Sequence, residues 1–487
     1  MQTTPTTATF PTIPAPRKKR RRWRLLAGFL VLLLMAPVAY YFFAGWYSDR
    51  QMAELAREIE KEDPHWQWHD LIAQIKPPPD DKNSAVQIMK VQALLKKTPF
   101  APGPKWDNAP KDPLLIRNAR LSHDKAELLR VAFAALPKET VLEARKLKDL
   151  PEGGFPIEPA ENPFAMNLNY LQETRQVANL LLCDAVVCAH QDDREGAAES
   201  CQAILNMAHA LKDQPFLIAQ LIRIAEQAIA LGALEWTLGQ GTVSEPNLAK
   251  LQGLLEAEAA ADGLHQAMRG ERAGGHQIYE SLRAGKTSFA EMFGTTGFRV
   301  GLSERVLDAF PGLVLSGYPE YLRMMNEQVR ASKLKDVERA EAFEKLEQQV
   351  RQHRARGIRG NLLISLIMPS TTKMAEAAQR SQAQLRCAIA GLAAERYRLK
   401  HNNTWPRGLD DLVKEGLLKE VPKDPYDGQP LRLKRKPTGI VIYSVGYDKI
   451  DNGGTIDRAN PRTPGTDIGF ELWDRRGVPP PASEEIP

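Results

Sequence analysis

Hydrophobic and polar positions divide the chain into three stretches with different spacing. The first, residues 25–47, runs for twenty-three residues without a charge, enough for one helix to cross a hydrocarbon core of roughly 30 Å. From about residue 50 to about 380 apolar residues recur at helical spacing in a background rich in Ala, Leu, Glu, Gln and Arg. This predicts helices at 49–61, 125–135, 140–147, 167–190, 195–211, 216–238, 245–260, 318–333 and 337–356. The segments 216–238 and 245–260 are apolar enough for a core, whereas 337–356 is charged nearly all round and reads as an exposed or bridging helix. Pro64, the run 76–81 (KPPPDD) and the segment 98–112, with five prolines or glycines, mark breaks and loops. The pair 167–190 and 195–211, joined by a polar turn at 191–194, resembles a single tetratricopeptide-type hairpin. No 34-residue period continues it, so no repeat array is predicted.

The third stretch changes period. A helix over 371–401 carries Leu385, Ile389, Leu392 and Leu399 on one stripe, and a short helix follows at 409–414, stopped by Gly416. Residues 431–436 alternate as a strand, Pro437, Thr438 and Gly439 turn the chain, and the β-branched run 440–446 and the segment 468–473 supply two more strands. A long helix on a small antiparallel sheet is the simplest way to bury one apolar face of each. The predicted fold is therefore mainly α. It has a disordered basic tail (1–24), a single transmembrane helix (25–47), a helical extracytoplasmic region (48–369), a small α+β C-terminal domain (370–475) and a disordered tail (476–487).

Charge fixes the orientation expected for the span. Seven of the eight residues 17–24 (RKKRRRWR) are basic, with Trp23 at one end of the apolar run and Trp46 and Tyr47 at the other. Cationic residues stay on the cytoplasmic side and indoles favour the interfaces. The N-terminus is thus expected in the cytoplasm, the anchor in the inner membrane with lipid contacts through residues 17–47, and the bulk outside. A cleaved secretory signal is the competing reading. The apolar run exceeds the ~7–15 residues of an h-region and its end (AYYFFAGWYS) lacks a small-x-small site. The arginine pairs match a twin-arginine signal only in part. Residues 1–50 carry a net charge of +7 and the rest of the chain −2, so no nucleic-acid surface is expected outside the membrane-flanking cluster.

Several patterns invite chemistry and fall short of it. Gly285, Lys286 and Thr287 look like the end of a phosphate loop, but Glu280 stands where that motif needs glycine, and a turn ending a helix is expected instead. His65 and His69 stand four apart, without a third ligand, beside Trp66 and Trp68, a pattern suited to an amphipathic patch near the membrane. Cys183 and Cys201 stand level across the predicted hairpin, yet helices pack at 8–10 Å and a disulfide needs Cα atoms at roughly 4.4–6.8 Å. Buried thiols are expected for all four cysteines. No nucleophile elbow or nucleophile–base–orienter set is present.

Residues 395–406 (ERYRLKHNNTWP), 409–416, 421–430 (VPKDPYDGQP) and 443–448 (YSVGYD) together resemble, in order, the globular domain of type II secretion major pseudopilins. The likeness covers about the last hundred residues. It implies a helix, a short helix, a rigid loop, strands and an acidic loop, in a protein–protein building block of secretion machines. In that family the acidic loop binds calcium, which here implies Asp448, Asp451, Asp457 and Asp467 around Gly453 and Gly454 as oxygen donors. An EF-hand frame from Asp448 fails at Ile450 and Ala459. Pilin processing would need a glutamate at the fifth position after Gly28, and that position is Leu33. The helical middle resembles that of large uncharacterised, membrane-anchored, exported bacterial proteins. The expected function is a membrane-anchored structural or interaction protein with unidentified protein partners. The alternative is an exported, hydrolase-like enzyme whose site in the helical region no motif reveals.

Overall fold

A computed structural model describes residues 19–100, 121–158, 163, 166, 168–288, 291, 315–356 and 361–474. Of the tail expected to be disordered (1–24), residues 1–18 lie outside the described residues, as do the tail after Asp474 and most of the loop at 98–112, whereas residues 19–24 are corrected to helix, continuous with the apolar run that follows. The architecture is mainly helical with one three-stranded sheet. In chain order the helices are α1 (Lys19–Glu62), α2 (Trp68–Gln74), α3 (Ser84–Lys97), α4 (His123–Ala134), α5 (Lys138–Arg145), α6 (Asn169–His190), α7 (Arg194–His209), α8 (Leu217–Gln240), α9 (Glu245–Ala260) and α10 (Gly263–Arg283). They continue with α11 (Tyr318–Ser332), α12 (Asp336–Ala355), α13 (Leu362–Lys400) and α14 (Leu409–Lys414). The strands are β1 (Arg432–Lys436), β2 (Gly439–Ser444) and β3 (Ile468–Trp473).

Helix α1 runs unbroken through the uncharged stretch and on into the body. Its outer part exposes Phe29, Val31, Met35, Phe43 and Trp46, each more than half accessible, whereas Met52, Leu55 and Ile59 are buried. Those three enter a core of their own with Trp66, Tyr279, Tyr318, Tyr321, Val350, Ile364 and Met368. Ion pairs lock the same segment down: Asp49 to Arg283 at 2.8 Å, Glu58 and Glu62 to Arg330 at 2.7 and 2.5 Å, and Asp63 to Arg269 at 2.9 Å and to the buried Arg272. Burial pushes the Asp63 carboxyl up, but the two guanidinium groups outweigh it and hold it below its ordinary range.

Trp66 and Trp68 correct the expectation of a surface patch. Both are buried: Trp66 tilts against His276 beneath the Arg272 guanidinium, and Trp68 packs on Phe216. His65 precedes α2 and His69 lies within it, so the two imidazoles do not share a helical face. Gly285 (φ +66°) ends α10, and the Lys286 amide donates to the Ser281 carbonyl at 2.9 Å, the turn the sequence predicts there.

The main core joins α6 and α7, the expected hairpin, to α8 and α9. Helix α8 is also long and apolar enough to cross a membrane, but 72% of its most apolar window is buried inside the protein. It is a core helix. All four cysteines are buried and none is in a disulfide. Cys201 meets the Thr237 hydroxyl of α8 at 4.0 Å, and Cys188 accepts from Arg145 at 2.8 Å. Arg145 also grips Asp184 with two hydrogen bonds of 2.7 and 2.8 Å. On α12, Phe343, Leu346 and Val350 are buried, so the helix has a narrow apolar stripe within its charged surface.

Strands β1, β2 and β3 form an antiparallel sheet in that order. Helix α13 lies across it. A Cβ at Gly391 would stand 2.5 Å from the Phe470 ring, so glycine is what lets the helix approach β3 this closely. The opposite face is covered by the loop between β2 and β3, where a Cβ at Gly454 would meet Val441 at 2.7 Å. Every residue of β2 is therefore buried, which explains its continuous apolar run.

The boundary expected at residue 370 falls within α13. Leu385, Ile389 and Leu392 of that helix, together with Ile440, Ile442, Phe470 and Leu472 of the sheet, belong to the same core as α6–α9. Polar contacts cross the junction as well: Gln252 donates to the Leu417 carbonyl at 2.8 Å, Gln382 to the Ala259 carbonyl at 3.0 Å, and Arg396 pairs with Glu245 at 2.7 Å.

Candidate functional site: a cleft between the helical body and the C-terminal sheet

The rigid loop at 421–430 is organised by a residue that pattern reading passed over. Asp424 is fully buried. Its carboxylate accepts from the Tyr426 amide (2.9 Å), the Ser444 hydroxyl (2.7 Å), the Val445 amide (2.8 Å) and Arg432 (3.0 Å). One side chain thus ties the loop to the end of β2. The signal in the sequence was an acidic residue between prolines in a segment otherwise expected to turn.

The four aspartates of the acidic loop are used in the same manner, for local amides. Asp448 accepts from the Ile450 amide (3.0 Å), the Gly465 amide (2.8 Å) and the Asn452 side chain (3.2 Å). Asp467, buried, accepts from the Asn452 amide (3.2 Å) and the Gly454 amide (2.7 Å). These two therefore meet around Asn452. Asp451 turns to the Tyr443 hydroxyl (3.0 Å) and the Gly453 amide (2.9 Å), while Asp457 caps its own turn through the Ala459 and Asn460 amides, both at 2.9 Å. Among the described residues no three His, Cys, Asp or Glu side chains are grouped so that they could hold a metal ion. Calcium takes 6–8 oxygens around one point. In this arrangement the four carboxylates do not form one donor set.

What the loop does build is a wall. Between α8, the 377–384 part of α13 and residues 456–470 lies a cleft of about 490 Å³, within the range of small-molecule sites. Its floor is the apolar face of α8, with Leu221, Ala225, Ala228, Ile229 and Gly232, and its far side includes Ile456, Ile468 and Phe470. One end is pinned by charge. Glu235 of α8 accepts from Arg458 at 2.5 and 3.0 Å and from the Glu471 amide of the edge strand β3 at 3.0 Å. Arg458 also reaches Glu471 at 3.0 Å. Coulombic attraction to these carboxylates outweighs the cost of its burial and raises its pKa.

Four guanidinium groups line the cleft: Arg175, Arg380, Arg458 and Arg462. Arg458 is neutralised as described and Arg462 pairs with Glu376 at 3.0 Å. Arg175 and Arg380 have no carboxylate partner among the described residues, and the Nε of Arg175 is buried with no acceptor.

A second polar cluster lies deeper. Glu258 accepts from His209 (2.5 Å), Gln227 (2.5 Å) and Arg223 (3.0 Å). Burial pushes this carboxyl up, yet Arg223 and His209 hold it below its ordinary value. The cavity beside Glu258 and Arg223 measures about 50 Å³, room for water rather than for a substrate. Nearby on α8, Glu226 is fully buried with neither carboxylate oxygen in a well-formed hydrogen bond, and burial pushes it up to about 8, offset only in part by the Thr174 hydroxyl and Arg175.

Comparison with protein families, with characterised proteins and with solved structures finds no match. The site therefore rests on its own geometry. Pattern reading reached one wall of the cleft, through Asp457 and Asp467, and identified α8 as core. It missed Arg175 and Arg380, because unpaired arginines on helical segments leave no motif.

Proposed function

We propose that the chain is a single-pass membrane protein of the bacterial inner membrane, N-terminus in the cytoplasm, whose extracytoplasmic body works by binding rather than by chemistry. The observation that carries the reading is α1. Its uncharged part, 23 residues or about 34 Å at 1.5 Å per residue, exposes large apolar side chains, while the same helix from Met52 onward is packed into the body. Anchor and body are then one rigid unit, and the body stands against the membrane without a linker.

Binding is favoured over catalysis by the lining of the large cleft, which combines aliphatic side chains, Phe470, arginines and carboxylates with no Ser, Thr, Cys, His, Lys or Tyr. A helix packed across an antiparallel sheet with a short helix and a rigid loop before it supports a pseudopilin-like head. That head suits a role beside a secretion or envelope assembly. Crosslinking in intact cells followed by purification of the full chain tests this. Enrichment of secretion or pilus components over an unrelated anchored control is expected. Recovery of none of them above that control would contradict the reading.

A further inference from the structure

The two uncompensated guanidinium groups lie along a mostly apolar cleft, and that combination has a chemical complement. The α8 floor runs from Leu221 to Gly232, twelve residues whose ends lie about 16 Å apart along the helix. Ala225, Ala228 and Gly232 keep it low between bulkier neighbours. A long apolar trench of this kind takes a flexible chain better than a compact ring. An apolar chain alone would leave Arg175 and Arg380 without a counter-charge in a partly desolvated place, which is costly. A purely apolar ligand would likewise leave the buried Nε of Arg175 without an acceptor, and a neutral acceptor would satisfy that hydrogen bond but leave both positive charges unanswered. Glu226 feels Arg175 electrostatically, but the two make no hydrogen bond, both Glu226 oxygens and the Arg175 Nε being without a partner, and burial pushes the Glu226 carboxyl up toward its neutral form. It does not supply the missing charge.

We infer that the cleft between α8, α13 and the 456–470 loop binds a long-chain carboxylate, its hydrocarbon on the α8 floor and its charge answered by Arg175 and Arg380. The inference goes beyond the anchoring role and does not depend on the side of the membrane on which the body lies. Arg458 and Arg462 are already paired to Glu235 and Glu376. That leaves Arg175 and Arg380 as the guanidinium groups of the cleft without a carboxylate partner of their own among the described residues.

The test uses the full chain in its native membrane with hexadecanoate carrying a photoreactive diazirine. Labelling is expected to saturate, to map to peptides covering residues 221–232 or 456–470, and to be competed by hexadecanoate but not by hexadecanol. Arg380→Gln and Arg175→Gln should each lower it about tenfold, the loss of one charge-assisted hydrogen bond, and Arg380→Lys should restore part of it. Arg380 is half-exposed on α13, so its replacement leaves the core intact. Ala228→Trp, which fills the trench from a partly exposed position, should abolish labelling without touching a charge. Label confined to α1, equal competition by the alcohol, or unchanged labelling of Arg380→Gln and Ala228→Trp would overturn the inference, whether or not the anchoring role stands.

Discussion

Helices α1 and α8 are both long and rich in apolar residues, and they meet opposite fates. The uncharged part of α1 leaves Phe29, Val31, Met35, Phe43 and Trp46 uncovered, while α8 is enclosed by α6, α7, α10, α13 and β3. The difference lies in what interrupts the hydrophobicity. Residues 25–47 carry no charge and are bounded by a cationic cluster. Helix α8 holds Gln220, Arg223, Gln227 and Glu235, and each finds a partner across a packed interface. A membrane offers no such partners, so polar groups matched in this way mark a helix built for the inside of a protein.

The contrast can be broken most sharply at Arg223. Replacing it by Ala leaves Glu258 buried beside its remaining partners without its guanidinium, and a loss of about 3–5 kcal/mol in chemical denaturation is expected. Val31→Ala on the exposed face of α1 should stay within about 0.5 kcal/mol in the same assay. Equal effects at the two positions would show that the helices are not differently packed.

Glu226 sharpens the comparison, because it is the one ionisable group of α8 with no well-formed hydrogen bond or ion pair. Its folded pKa of about 8 lies above the ordinary 4.5, so between these values the folded state holds a proton that the unfolded state has released. Stability from this group is therefore greatest at low pH and falls as pH rises toward 8, by up to about 1.4 kcal/mol per pH unit. Glu226→Gln should flatten that slope between pH 5 and 8. A slope unchanged by the substitution would mean that the carboxyl is charged and paired.

The smallest effect is expected from calcium. The carboxylates of Asp448, Asp451, Asp457 and Asp467 are occupied by amides and hydroxyls, so millimolar Ca²⁺ should leave the melting temperature of the full chain within about 1 °C. A clear rise, lost in Asp467→Asn, would mean that the loop rearranges so that its oxygens converge.

Most helices were legible because apolar spacing and breakers agree. Residues 245–260 and 409–414 were read with the bounds found, as was the strand at 468–473. Helices α2 and α3 were missed, lying among prolines and polar residues that favour loops on local grounds. The start of α10 was hidden by the glycines at 263, 270, 274 and 275, which lower helix propensity but admit close neighbours such as the Pro215 carbonyl at Gly270. The burial of Trp66 and Trp68 was not legible either. Each depends on residues more than 140 positions away, Arg272, His276 and Phe216. The cleft follows the same rule: its walls come from α6, α8, α13 and the β2–β3 loop, brought together only by the shared core.

The central claim is that α1 anchors the chain with its body outside the cytoplasm. An epitope placed after residue 487, probed by protease added to intact spheroplasts, tests it most directly. The account predicts that the epitope is lost while a cytoplasmic control protein survives. Retention of the epitope under conditions that digest a known extracytoplasmic domain would contradict it.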